Sequence, residues 1–198
     1  MPRVLITAFG PYGPWKENAS WLALVELTRS LPGTPTVTTR LYPVDYTTVC
    51  EKLRQDLLAD YDYALHLGQA PGATDLRLEA IGINIRATAT ADPDQPKPLV
   101  TDGPTAYQTT LPLAKWAELL RRADIPTQVS YHAGTFLCNA LMYLTHHFTR
   151  QRGLHTQAAF LHLPLAPSQA FANGAQLPSM SSATVAEAIR LILAALPQ

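Results

Sequence analysis

Segments with strand character alternate with helical segments along the whole 198-residue sequence, and this order restricts the fold more than any other feature. The apolar, β-rich segments that we predict as strands are residues 4–9, 36–44, 63–67, 76–85, 127–131 and 156–163. The segments that we predict as helices are residues 19–31, 46–58, 113–123, 138–150 and 184–195. Such alternation favours an α/β fold, in which helices cover both faces of a largely parallel sheet. No linker or repeat divides the sequence, so we predict one domain over residues 1–198.

Charge balance and the lengths of the apolar segments exclude several classes of protein. The 15 lysines and arginines balance 15 aspartates and glutamates, so no net field attracts nucleic acid or anionic lipid. The apolar segment near the N-terminus is too short for a signal-peptide core or a membrane span. Two cysteines, Cys50 and Cys138, are too few for a disulfide framework and lack the spacing of a zinc site. We therefore expect a cytoplasmic protein with no metal, no nucleic-acid partner and no membrane contact.

Cys138 is the residue whose setting most suggests chemistry. It follows a strand, a turn containing glycine and two apolar residues in the run HAGTFLCNALMYL, and it begins a predicted helix. The helix dipole and the free N–H groups of a first turn favour a thiolate, and they can also hold an oxyanion. From the residues alone, a small buried core cysteine is the alternative, and for Cys50, inside the helix 46–58, that alternative is the stronger one.

A thiolate nucleophile needs a base, and His162 is the histidine that is placed to supply one. It lies at the end of the strand 156–163, and strand carboxyl ends and helix amino ends open at the same edge of a parallel sheet. Cys138 and His162 can therefore meet. Glu79 is an acid within an apolar β segment, where burial requires a partner, and it is the candidate to orient the histidine. The alternatives are a structural role for His162 and an exposed edge position for Glu79.

Five stretches of the sequence, taken in order, resemble the pyroglutamyl peptidase I family, also called pyrrolidone-carboxylate peptidases. They are LITAFGPYGPWKENASW, HLGQAPGATDLRLEAIGIN, HAGTFLCNALMY, AFLHLP and PSM, and they extend from Leu5 to Met180. The resemblance implies a three-layer α/β/α sandwich with a twisted mixed sheet, assembled as a homo-oligomer, either a tetramer or a dimer. It also implies a cysteine peptidase that removes an N-terminal pyroglutamyl residue from peptides without a cofactor.

The resemblance further implies which residues act. Cys138 would be the nucleophile, His162 its base and Glu79 the acid that orients the histidine, with an acyl-enzyme as intermediate. Six residues would form the slot for the small, flat, uncharged pyroglutamyl ring: Phe9, Tyr12, Asn18, Gln69, Phe136 and Leu137. Among them, Gln69 would pair with the lactam group as donor and acceptor at once. From the residues alone, the alternative places both phenylalanines in the core and Gln69 in a turn.

The sequence departs from the family's pattern at several positions. The family usually has arginine where this chain has Ala73, Ala80 and Ala89, and Arg86 is the nearby arginine that can substitute for the last of these. Ala89 and Arg86 belong to residues 86–111, which we predict as a long loop or an irregular hairpin. Because of the lost arginines, hydrolysis of another small amide or lactam is an alternative function. A non-catalytic binder of pyroglutamate is a second alternative, from a different class.

Overall fold

The computed structural model describes residues 1–87, 96–172 and 177–197. In these ranges the strands are β1 Arg3–Phe9, β2 Thr36–Tyr42, β3 Tyr63–Gln69, β4 Leu76–Glu79, β5 Ile81–Ile83, β6 Ala106–Gln108, β7 Thr127–Ser130 and β8 Gln157–Leu163. The helices are α1 Ala19–Thr28, α2 Tyr46–Asp56, α3 Leu113–Arg122, α4 Leu137–Arg152, α5 Pro167–Ala172 and α6 Ser182–Ala194. Within the same ranges, no helix has the length and apolar character that crossing a membrane requires.

The main sheet is mixed, and its strand directions determine where the functional residues meet. It has six strands in the order β2-β1-β3-β8-β4-β7, while β5 and β6 form a separate two-stranded sheet. The strands β2, β1, β3 and β8 are parallel, whereas β4 is antiparallel to β8 and β7 is parallel to β4. The carboxyl ends of β1, β3 and β8 therefore lie at one edge of the sheet, together with the amino end of β4. The predicted α/β fold with a largely parallel sheet is confirmed.

Helices cover both faces of the main sheet, which explains why its strands are apolar throughout. On one face α1, α3 and α6 pack against side chains such as Ile6 and Leu161. On the other face α2 and α4 pack against side chains such as Phe160. All seven residues of β3 are buried, as expected for a strand that is covered from both sides. The three-layer α/β/α arrangement follows from this packing.

The segment predicted as one strand, 76–85, forms two strands in different sheets. β4 ends at Glu79, and after Ala80 the chain leaves the main sheet and turns towards α4. There Gly82 lies directly on the helix backbone, so closely that a Cβ atom would lie 2.9 Å from the nitrogen of Tyr143. The break has no signal in the sequence pattern, because the residues on both sides of it are apolar.

The segment 86–111 has the character of an irregular hairpin in its described parts. Arg86 forms an antiparallel bridge with Lys97, and β6 pairs with β5. Residues 88–95, which include Ala89, lie outside the described residues. The segment between β8 and α6 contains the short helix α5, which is not among the helices expected from the sequence. The other observed helix and strand ends lie within a few residues of the predicted ones.

Replacing Gly82 by alanine is expected to lower the free energy of unfolding by about 1–3 kcal/mol, because the added methyl group meets helix backbone that cannot move aside. Urea unfolding measures the change. Gly33→Ala is the matched control, since no atom lies within 4 Å of a Cβ there, and its effect should stay within about 0.5 kcal/mol. Equal stabilities of the two variants would contradict the close packing of β5 on α4.

Candidate active site

The amino end of α4 carries a thiol beside amide groups that have no acceptor within the helix. Cys138 is the second residue of α4, and the N-cap, Phe136, makes no capping hydrogen bond through its side chain. The first main-chain bond of the helix runs from the N–H of Ala140 to the oxygen of Phe136, at 2.9 Å. The N–H groups before Ala140 are therefore orphan donors at the positive end of the helix dipole. This arrangement suits a nucleophile with an adjacent oxyanion site.

The end of β3 passes directly beneath the nucleophile. A Cβ atom on Gly68 would lie 2.9 Å from Sγ of Cys138 and 2.7 Å from Cζ of Phe160. Neither distance is tolerable for a side-chain carbon, so this approach requires glycine. The absence of a side chain at Gly68 thus allows the thiol to lie against the sheet, next to the strand ends that carry the other polar groups.

A buried carboxylate and an imidazole lie together beside the thiol. His162 is the penultimate residue of β8, and its Nδ1 is 2.8 Å from Oε1 of Glu79, the last residue of β4. The Glu79 side chain is 1% exposed and the His162 side chain 12%. Cys138 lies close enough to the same imidazole to influence its ionisation, and both residues line one cavity. The structure therefore brings together the three side chains that the sequence singles out.

The ionisation of His162 is controlled by its two neighbours. Burial alone lowers its pKa, but the charge and hydrogen bond of Cys138, followed by those of Glu79, outweigh burial and raise the pKa from 6.5 to about 9. At neutral pH the ring is therefore an imidazolium, which is hydrogen-bonded to Glu79 through Nδ1 and lies close to Cys138. A positive charge beside a cysteine favours the thiolate, which is the nucleophilic form.

These side chains lie at the wall of a cavity of about 180 Å³ at the carboxyl edge of the sheet. The residues that line it are Phe9, Tyr12, Asn18, Val44, Gln69, Ala133, Gly134, Thr135, Phe136, Leu137, Cys138 and His162. The lining contains every residue predicted for the site except Glu79, which lies behind His162. Phe9 is buried at the base of the cavity, whereas Phe136 is 44% exposed and forms part of its rim.

Gln69 turns its amide group into this cavity with its acceptor already occupied. Its Oε1 accepts hydrogen bonds from the N–H of Ala19 and from Nε2 of Gln169, both at 2.9 Å. Because the Ala19 N–H can only donate, the atom facing it must be the Gln69 oxygen. The buried Nε2 of Gln69 has no hydrogen-bond partner among the described residues. The side chain therefore offers a donor to a ligand, rather than the donor and acceptor pair that the sequence suggests.

Asn18 and Tyr12 hold the first loop in the shape of the cavity wall. Asn18 is the N-cap of α1: its Oδ1 accepts from the N–H of Ser20 at 3.0 Å, and its Nδ2 donates to the oxygen of Gly10 at 2.9 Å. Its polar atoms are thus engaged in shaping the loop. Burial raises the pKa of Tyr12, which stays a neutral phenol, and Gln69 opposes this shift.

Sequence reasoning missed several residues of the cavity. Val44 lines it because it follows β2, which ends at the same edge as β1 and β3. Ala133, Gly134 and Thr135 line it because the turn before α4 folds over the nucleophile. The sequence does contain a signal for this turn, because the glycine-containing run AGT stands just before Cys138. The contact of Gly68 with the thiol had no local signal, because it joins segments that are far apart in sequence.

Among the described residues, no group of three or more histidine, cysteine, aspartate or glutamate side chains has the geometry to hold a metal ion. Both cysteines are free thiols and are partly buried.

Comparison with known proteins gives one family over nearly the whole chain. The family model for pyroglutamyl peptidase matches residues 2–198. The pyrrolidone-carboxylate peptidase of Streptomyces coelicolor is 38% identical over 200 residues, covering 98% of this chain and 92% of that protein. Pyrrolidone-carboxylate peptidase 1 of Ralstonia nicotianae is 35% identical, with the same coverage of both proteins.

Solved structures give the same result. The pyrrolidone carboxyl peptidase of Fervidobacterium islandicum superimposes with a TM-score of 0.90 at 35% identity, covering 98% of this chain and 97% of that one. The enzyme from Thermococcus litoralis gives a TM-score of 0.88 at 32% identity, covering 98% and 92%.

Iodoacetamide is expected to alkylate Cys138 at least about tenfold faster than Cys50 at pH 7, because the His162 imidazolium keeps the first sulfur as a thiolate. Cys50 lies in the middle of α2, away from any helix terminus. Mass spectrometry of peptides from the folded protein, taken at short reaction times, measures both rates. Equal labelling of the two thiols would show that Cys138 is not activated.

Proposed function

This chain belongs to the pyroglutamyl peptidase family of cysteine peptidases, and from that premise we propose that it hydrolyses the bond between an N-terminal pyroglutamyl residue and the following residue of a peptide. The observation that carries the proposal is the contact of thiol, imidazole and carboxylate at the wall of a small, mostly apolar cavity. The family's usual substrate fits such a cavity, because the pyroglutamyl ring is small and uncharged.

In the acylation step, the Cys138 thiolate attacks the pyroglutamyl carbonyl carbon, and the carbonyl electrons move to the oxygen. The orphan N–H groups in the first turn of α4 stabilise this oxyanion. The His162 imidazolium then gives its Nε2 proton to the amide nitrogen as the C–N bond breaks, which releases the peptide with a new amino terminus. Glu79 keeps the proton on Nδ1 and fixes the orientation of the ring.

Deacylation needs a neutral histidine, and acylation itself produces one. Once the sulfur is a thioester, the negative charge that raised the pKa of His162 is gone, and burial again favours the neutral ring. Neutral His162 takes a proton from a water molecule as the water attacks the thioester. Free pyroglutamate leaves, and the thiolate and imidazolium are restored.

Recognition of the ring follows from the lining of the cavity. Phe9, Phe136 and Leu137 provide apolar contacts for its methylene groups. The unoccupied donor on Gln69 Nε2 is suited to the lactam oxygen, and a substrate without that oxygen leaves this buried donor unsatisfied, which reduces binding. Tyr12, a neutral phenol at the same wall, is a second polar group within the lining.

This chain has alanine at three positions where the family usually has arginine, so the helix amides are the candidates to stabilise the oxyanion. Ala73 and Ala80 are both buried, so neither position contributes a charge. Ala89 lies outside the described residues. Among the described residues, the groups suited to stabilise the intermediate are the amides at the amino end of α4. Direct comparison of substrates separates the alternative of a different small amide or lactam.

We propose in addition that the chain acts in the cytoplasm as a homo-oligomer, a tetramer or a dimer. Two free thiols are compatible with a reducing compartment. Large apolar side chains that are well exposed on the described surface, Phe171, Leu58 and Tyr131, offer contact area for a second copy of the chain.

Activity is expected to fall at alkaline pH as His162 loses the proton that the leaving amine requires, around its pKa of about 9. Glu79→Gln removes one cause of the raised pKa, so the alkaline limb should move to lower pH. Turnover near pH 7 should also drop about ten- to a hundredfold, because a buried charged hydrogen bond is lost. A pH profile of kcat/KM measures both effects. The exposed Glu118→Gln is the control, and an alkaline limb that does not move in Glu79→Gln would disprove this role.

Release of a fluorescent amine from a pyroglutamyl amide tests the proposed function itself. Turnover by the intact chain should fall by at least about a thousandfold in Cys138→Ala, and Cys50→Ala should keep it. A folded, reduced intact chain that ignores this substrate but cleaves another lactam or acyl amide would support the alternative function instead.

A further inference from the structure

A second cavity of about 350 Å³ adjoins the substrate cavity on the other side of two aromatic rings. Its lining includes Tyr46, Arg54, Arg86, Leu99 and Val100. The ring of Tyr46 meets the ring of Phe136 edge to face, at 5.3 Å between centroids. Because the exposed Phe136 forms the rim of the substrate cavity, the second cavity lies just beyond that rim.

The backbone on either side of Arg86 is fixed against the active-site turn. The N–H of Arg86 donates to the oxygen of Lys97 at 2.7 Å, and the N–H of Ala87 donates to the oxygen of Thr135 at 2.8 Å. The Tyr46 hydroxyl donates to the oxygen of Ala87, also at 2.8 Å. Thr135 lines the substrate cavity three residues before the nucleophile. Arg86 is therefore held at a defined position beside the site.

The Arg86 side chain stacks on an aromatic ring, and its charge also acts on the nearby carboxylate of Asp45. Its guanidinium carbon lies 4.6 Å from the centre of the Tyr46 ring. None of the ion pairs in the described part of the chain involves Arg86. Together with the contact between Tyr46 and Phe136, this stacking places the Arg86 guanidinium within about 10 Å of the Phe136 ring at the cavity rim. Two or three residues of extended chain span that distance.

The charges around this cavity favour an anion. Lys97 is outside the cavity lining but directly opposite Arg86 in an antiparallel bridge, where two like charges repel each other. Arg54 adds a third cation to the same region. Among the described residues, the acids at or near it are Glu51, on the cavity wall, and Asp45, whose carboxylate caps α2 through the N–H of Thr48 at 2.8 Å and also interacts with the charge of Arg86.

We propose that Arg86 is a specificity residue for the departing peptide and binds a carboxylate two or three residues beyond the bond that is cleaved. This rests on the proposed function, because a pyroglutamyl residue is always the first of its chain. With its ring in the substrate cavity, only the departing part of the substrate extends past the rim. Either the terminal carboxylate of a short peptide or an acidic side chain at that position supplies the anion.

The test compares matched peptides that differ only in their terminal charge. The substrates are pyroglutamyl-alanyl-alanine and pyroglutamyl-alanyl-alanyl-alanine, each with a free carboxylate and as the C-terminal amide. The intact enzyme should favour the acid over the amide about two- to fivefold in kcat/KM, as expected for an exposed ion pair, and salt should weaken this preference. The acid-to-amide ratio is taken within each variant, so a general loss of activity cancels.

The variants separate a role of Arg86 from a general effect of charge. The ratio should fall to about one in Arg86→Gln, while Arg86→Lys, which keeps the charge, and Arg122→Gln, a distant exposed arginine, should retain it. A preference that persists in Arg86→Gln, or no preference in the intact enzyme, overturns the assignment while leaving the proposed function intact. Failure to cleave any of the four peptides overturns both.

Discussion

The active site is organised by one imidazolium that lies between a buried glutamate and the cysteine at the start of α4. Burial on its own would keep His162 neutral, so its positive charge exists only because Glu79 and Cys138 lie beside the ring. The antiparallel register of β4 sets Glu79 opposite Phe160, two residues further into the sheet than His162, so the carboxylate reaches the ring from its buried side. Removing either neighbour therefore alters the charge of the base as well as its geometry.

Close packing of backbone segments then sets the shape around this pair. Gly68 lets the sulfur lie against β3, and the uncapped first turn of α4 supplies amide donors beside it. The Gln69 oxygen bonds to Ala19 and Gln169, and so joins β3, α1 and α5 into one wall of the cavity. The cavity for the pyroglutamyl ring is thus lined by groups that also form hydrogen bonds within the fold. Because these bonds use the oxygen of Gln69, its amide nitrogen is available to a ligand.

Much of this arrangement could be predicted from the sequence because its signals are local. Apolar segments identify the strands, and a cysteine at a helix start, a histidine at a strand end and an acid within an apolar strand mark Cys138, His162 and Glu79. The reversed direction of β4, the split of residues 76–85 and the occupied oxygen of Gln69 could not be predicted. Each depends on contacts between segments that lie far apart in the chain.

The central claim is that Cys138 and Glu79 together keep His162 an imidazolium at neutral pH. An NMR titration of the His162 ring nitrogens tests it directly, in the intact protein and in Cys138→Ala. The combined influence of Cys138 and Glu79 predicts a midpoint near pH 9 in the intact protein and a clearly lower one in the variant, where burial is opposed by Glu79 alone. A midpoint near the ordinary histidine value in the intact protein, or the same midpoint in both, would contradict the claim.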